Sequence, residues 1–220
     1  AEHRERFDLR AALPRIPGLL VGLVLFGVGI GMMVESGLGL GPWEALHQGL
    51  ADQLGIQIGT VSILLGIPIL LLWWPLGERP GLGTILNVVL IGASTNWAIA
   101  LIPTADTVPT QLLLMIGGVL VIGLGSATYL SADLGPGPRD GLMTGLHHRF
   151  GWSIRRARTA IELIVLVIGW ALGGTIGLGT VVFALGIGPV IQVFLRIVDR
   201  DDRVGRRRRA RLEAEGVLGE

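Results

Sequence analysis

The sequence predicts an all-α membrane protein with six transmembrane helices and two short helices, built as an inverted-topology 3+3 internal repeat. Three observations carry this reading. The 220 residues are 50% hydrophobic and only 16% charged, against about 25% charged in average soluble proteins. Apolar runs of about twenty residues recur, the length a helix needs to cross a bilayer. One stretch occurs twice, 96 residues apart: Leu38 to Gly55 returns as Leu134 to Gly151, with eight of eighteen positions identical. The offset extends without a gap. Gly22, Gly27 and Gly29 return as Gly118, Gly123 and Gly125, and Gly81-Leu82-Gly83-Thr84 returns as Gly177-Leu178-Gly179-Thr180. A repeat of this extent is a duplication of the whole hydrophobic body.

The elements follow in order. Residues 1–15 form a basic cytoplasmic segment with Arg4, Arg6, Arg10 and Arg15. Repeat 1 covers 16–102. Its first span runs from about Ile16 to Val34, with glycines spaced for close helix packing. A short helix covers 42–54; Pro42 suits its first turn, where a missing N–H costs nothing. At 13 residues it reaches about 20 Å, short of a bilayer core of about 30 Å, and so it is either re-entrant or interfacial. The second span, about Gly59 to Leu76, closes on Trp73-Trp74, a pair suited to an interfacial anchor. The third runs from about Thr84 to Ile102. An external linker, 103–109, carries no basic residue. Repeat 2, 110–198, holds spans at about Gln111–Leu130, Ala157–Leu172 and Leu178–Val198, and a short helix over 138–150. Residues 199–220 form a basic cytoplasmic tail with Arg206 to Arg209, matched to an anionic leaflet rather than to specific nucleic-acid binding.

Charge sets the orientation. The sequence has no lysine, so its 18 basic residues are all arginine. With both termini cytoplasmic, every one falls on an internal segment, as the positive-inside rule requires. Three spans per repeat invert the second copy, a common plan among secondary transporters. Eight spans with parallel repeats would misplace only Arg79 and Arg139; the length of the short helices argues against it.

The duplicated motif carries the candidate site. Its loop residues Gly39 and Gly41, and Gly135 and Gly137, let backbone approach backbone or ligand closely. Pro42 and Pro138 start helices whose free N–H groups favour a negative group. Beside them the copies differ: Trp43 corresponds to Arg139, and Glu44 to Asp140. Charges inside a membrane are costly and mark functional positions. Two readings stay open: Arg139 pairs with Glu44 or Asp140 and locks the halves together, or these residues handle a substrate or proton. Asn96 and Gln192, equivalent positions in the third and sixth spans, are secondary candidates and suit interhelical hydrogen bonding. Arg158 and Glu162 are spaced for an i,i+4 pair. His47, His147 and His148 lack a shared metal-binding face, and no metal or cofactor is expected. No nucleophile–base order or phosphate loop marks an enzyme. Cysteine is absent, which removes thiol chemistry.

At these residues the chain resembles the YczE/YitT-like family of bacterial integral membrane proteins. The likeness rests on Gly-Leu-Gly-Pro-Trp-Glu at 39–44, Leu-Gly-Glu-Arg-Pro-Gly at 76–81, Gly-Pro-Arg-Asp-Gly-Leu-Met-Thr-Gly-Leu at 137–146 and Gly-Leu-Gly-Thr at 177–180. The resemblance implies a multi-span protein of the bacterial cell membrane, generally taken for a transporter. Its frequent company with pyridoxal-phosphate-dependent regulators points to vitamin-like or amine substrates. The resemblance implies an acid in many relatives at the position where this chain has Asn96.

The expected function is a small secondary transporter or channel for a small polar or anionic solute. Arg139 would hold the negative group, Glu44 and Asp140 would couple protons or gate, and Trp43 would supply an apolar wall. A homodimer fits this reading. The alternative is a non-transporting membrane scaffold or regulator acting through cytoplasmic loops and the basic tail. The orientation has a direct test, because a cysteine-free chain gives no labelling background. Cysteines at Thr107 and Thr175 should react with an impermeant thiol reagent from outside, and those at Glu78 and Arg206 should not. External labelling at 78 would favour eight spans.

Overall fold

The computed structural model describes residues 12–199, so Arg4, Arg6, Arg10 and the Arg206–Arg209 run lie outside the described residues. Eight α-helices follow a single 3₁₀ turn, and no strand occurs among the described residues. They are α1 (Ile16–Ser36), α2 (Pro42–Leu54), α3 (Ile58–Leu76), α4 (Leu82–Leu101), α5 (Val108–Ser131), α6 (Pro138–Phe150), α7 (Ile154–Ala171) and α8 (Leu178–Val198). The two short helices have the expected bounds. Each begins on proline and ends on a left-handed glycine, Gly55 or Gly151.

Five of the helices are long and apolar enough to cross a membrane: α1 with its leading turn, α3, α4, α5 and α8. The remaining expected span corresponds to α7. It has 18 residues but opens with Arg155, Arg156 and Arg158 and carries Glu162 one turn on, so its first half is too polar for the same class.

Glycine contacts set the packing of the centre. A Cβ on Gly22 would stand 2.5 Å from the Tyr129 amide nitrogen, and one on Gly29 would stand 2.8 Å from the Gly118 carbonyl oxygen. These pairs place the start of α1 beside the end of α5, so the two helices run antiparallel. Gly27 meets Ile91 and Thr95, and Gly31 meets Ala98; α4 therefore runs parallel to α1. On the other side Gly123 of α5 packs on Val190 of α8. The buried core, including Leu19, Leu23, Ile30, Met33 and Ile122, lies along this axis.

The short helices each pack on a helix of the other half. The backbone of α2 at Ala45 and Leu46 lies against Gly169 of α7, where a Cβ would be 2.5 Å from the Leu46 nitrogen. Helix α6 lies against α3, with the Trp73 ring over Gly141. This corrects the expected Trp73-Trp74 anchor. Trp73 is fully buried and its indole N–H donates to the Pro138 carbonyl at 3.0 Å; only Trp74 is exposed.

Two glycines of α1 should respond oppositely to a methyl group. Gly22→Ala forces the α1–α5 crossing apart and should cost about 1–3 kcal/mol. Gly18, with nothing within 4 Å of a Cβ, should tolerate alanine without loss. Reversible unfolding in mixed micelles measures both.

Candidate functional site

The site begins with two loops in unusual backbone. Eight described residues have positive φ, and they form four pairs 96 positions apart: Gly37 with Asp133, Gly39 with Gly135, Gly55 with Gly151 and Gly77 with Gly173. Gly39 at φ +115° and Gly135 at φ +129° adopt a conformation essentially restricted to glycine.

These loops are held crosswise. The Leu38 carbonyl accepts the Gly179 N–H at 2.8 Å, and the Leu134 carbonyl accepts the Gly83 N–H at 2.9 Å. Gly83 and Gly179 lie in the first turns of α4 and α8, where backbone N–H groups have no partner within the helix. Thr84 and Thr180 reach back to the N–H of Gly81 and Gly177 at 3.2 Å each. The Thr84 hydroxyl also donates to the Pro136 carbonyl at 2.8 Å. Each loop thus supplies acceptors for the first turn of a helix in the opposite half.

That docking brings the N-termini of α2 and α6 together. Arg139 Nη2 donates to Glu44 Oε1 at 2.9 Å, with Glu44 buried and Arg139 about a quarter exposed. The guanidinium lies 4.9 Å from the centroid of the Trp43 ring, within cation–π range. The pairing reading of Arg139 is therefore realised, with Glu44 as the partner. Two buried atoms beside it have no hydrogen-bond partner among the described residues, the indole Nε1 of Trp43 and Oε2 of Glu44. Unsatisfied buried polar atoms are uncommon and costly. Here one is a donor and the other an acceptor, on adjacent residues.

Trp43 and Glu44 are among the residues that line a cavity of about 380 Å³ between the halves. Residues 96 apart share its wall: Trp43 with Arg139, Glu44 with Asp140, Ile91 with Ile187, and Ser62 with Arg158. Of the predicted site residues, Pro42, Trp43, Glu44, Gly137, Pro138, Arg139, Asp140 and Gln192 line it. Gly39, Gly41 and Gly135 do not; they hold the loops behind it. A Cβ on Gly41 would press on Glu44 Oε2 at 2.6 Å. Asn96 lies apart, bonded to α3. Arg158 and Glu162 form the expected pair at 2.9 Å and sit on the exposed rim. No metal-holding cluster of His, Cys, Asp or Glu occurs among the described residues.

Sequence reasoning missed four contributors. Thr84 and Thr180 recur in the repeat, and that recurrence was the available signal. Tyr129 and buried His47 also line the cavity; neither breaks its local pattern enough to stand out.

Comparisons with known proteins point to one family. Residues 13–196 match a family of unknown function, DUF6198. An uncharacterized protein of Haemophilus influenzae is 42% identical over 182 residues, 83% of this chain and 84% of the relative. The uncharacterized membrane protein YczE of Bacillus subtilis is 34% identical over 177 residues, 79% of this chain and 82% of its own. The chain belongs to the YczE-like membrane protein family. A further relative, the uncharacterized protein YyaS of Bacillus subtilis, is 27% identical over 184 residues, 82% of this chain and 92% of its own. No solved structure matches.

The Arg139–Glu44 pair has a measurable signature. Arg139→Ala leaves a buried carboxylate uncompensated and should destabilise the protein by about 3 kcal/mol. Glu44→Gln in the same chain should restore most of that loss. Unfolding of the single and double variants gives the coupling.

Proposed function

We propose that this YczE-like chain is a small secondary transporter or channel of the bacterial cell membrane. It moves a small polar solute through the cavity between the two motif loops. The observation that carries this reading is that two residues lining the cavity, Trp43 and Glu44, each hold a buried polar atom, Nε1 and Oε2, with no partner among the described residues. A solute with one acceptor and one donor would satisfy both once the two side chains turn toward it, which a purely structural cavity would not call for.

The membrane arrangement is part of the proposal. Helix α7 is the sixth span, with its arginine-rich start at the cytoplasmic interface, where long side chains reach the headgroups. Both termini are cytoplasmic. The halves are inverted repeats, a reading supported by antiparallel packing of the equivalent helices α1 and α5 and by the four pairs of positive-φ residues. The short helices α2 and α6 are re-entrant, and their irregular loops are buried in protein, the condition under which a membrane tolerates them.

Each charged residue takes a role. Arg139, whose charge Glu44 already partly compensates, positions Glu44 and offers its remaining donors to an acceptor on the solute. Glu44 and Asp140 are the groups placed to exchange protons as the solute moves.

A panel of polar solutes tested for uptake into reconstituted vesicles measures the activity. Uptake of at least one solute should exceed leakage into empty vesicles. Arg139→Lys, which loses the planar fork of donors, should insert normally and show at least about tenfold weaker apparent affinity, the effect of one lost charge-assisted hydrogen bond. Glu44→Gln with Asp140→Asn should remove the pH dependence of uptake. If no solute in the panel crosses faster than in empty vesicles, the transport reading falls.

A further inference from the structure

The two halves share a plan but differ at one seam. In the first half, α3 and α4 cross in close contact. A Cβ on Gly59 would collide with the Gly92 carbonyl oxygen, and one on Gly92 would collide with the Gly59 carbonyl oxygen. The Gly59 N–H, free at the start of α3, donates to Asn96 Oδ1 at 2.8 Å, and Asn96 Nδ2 donates to the Thr60 hydroxyl at 3.1 Å. Asn96 thus caps α3 from a neighbouring helix. In the second half the equivalents of Gly59, Thr60 and Asn96 are Arg155, Arg156 and Gln192. An arginine leaves no room for such a crossing. Helix α7 is capped instead by its own Ser153, whose hydroxyl accepts the Arg156 N–H at 3.3 Å. The main cavity runs into this looser seam, where Arg158, Glu162, Gly188 and Gln192 line it.

A second cavity, of about 220 Å³, lies on the far side of the tight crossing. Its wall includes Asp52, Gln57, Ile58, Asn96 and Ile99. The main cavity reaches α3 at Ser62 and Gly66 and α4 at Val88 and Ile91. Gly59 and Gly92 stand between these two sets of residues. Parting α3 from α4 there would join the two cavities into one path.

We propose that Gly59, Thr60, Gly92 and Asn96 form the gate at the outer end of the path, closed in this structure, while the α7–α8 seam opens the main cavity toward the cytoplasm. The gate rests on the transport reading for its purpose and on the positive-inside orientation for its side. The lock is made of two hydrogen bonds and a backbone contact, so it opens without breaking an ion pair. The opposite seam lacks the glycine crossing and closes less tightly, so the resting protein favours the inward-open form.

The full chain in oriented vesicles, with Ser62→Cys as an otherwise lone cysteine in the main cavity, tests this. A small impermeant thiol reagent should label it from inside and barely from outside. Asn96→Ala, which removes two hydrogen bonds, should raise the outside labelling rate by about tenfold. Gly59→Arg, which gives this seam the residue of the other, should raise it further; Asn96→Ala decides the matter if Gly59→Arg fails to fold. In a second arm, Thr60→Cys with Asn96→Cys in place of Ser62→Cys should cross-link on oxidation and stop uptake until a reductant is added. Unchanged outside labelling in a folded Asn96→Ala protein overturns the gate, as does uptake that continues through the cross-link. Labelling that shifts as expected with no uptake of any solute keeps the gate and removes the transport reading alone.

Discussion

Everything in this fold depends on how the unpaired amides at the starts of α4 and α8 are satisfied. In a membrane no water stands by to accept a hydrogen bond, so each orphan N–H must find an acceptor in the protein. Here the acceptors are the carbonyls of Leu38 and Leu134, each on a loop of the opposite half. The left-handed turns at Gly39 and Gly135 present those carbonyls. The loops in turn fix where α2 and α6 begin, and those starting points bring Arg139 within reach of Glu44. The cavity is what remains between two helix ends held apart by their own crossed bonds.

Much of this was legible in the sequence. The offset of 96 residues foretold both short helices to the residue, because proline at the start and glycine at the end punctuate each copy. The long apolar helices were legible from hydropathy. The Arg139–Glu44 pair was one of two readings of a cation opposite an acid. The crossed docking was not legible, since a repeat tells which residues are equivalent and nothing about which half they touch. Trp73 shows the limit of composition. A tryptophan pair at the end of an apolar run suits a headgroup belt, yet Gly141 offered Trp73 a flat surface and Pro138 an acceptor. The polar opening of α7 likewise leaves the span expected at Ala157–Leu172 outside the class of the five apolar helices.

The differences between the copies matter as much as their likeness. Trp43 against Arg139 gives the cavity wall an aromatic ring with a cation stacked on it. Gly59 against Arg155 gives one tight seam and one loose seam. Substitutions at equivalent positions thus make the two halves unlike in their side chains, while the backbone conformation stays duplicated at all four pairs of positive-φ residues.

The crossed hydrogen bonds also constrain biogenesis. The first motif loop, at Leu38, finds its donor only when Gly179 has been made and inserted, which is nearly the end of the described chain. Until then the Leu38 carbonyl lacks the donor it has in the complete fold. The halves of most multidomain chains fold in turn as they emerge. These two share backbone bonds that neither half can make without the other, as two separate copies would on meeting face to face.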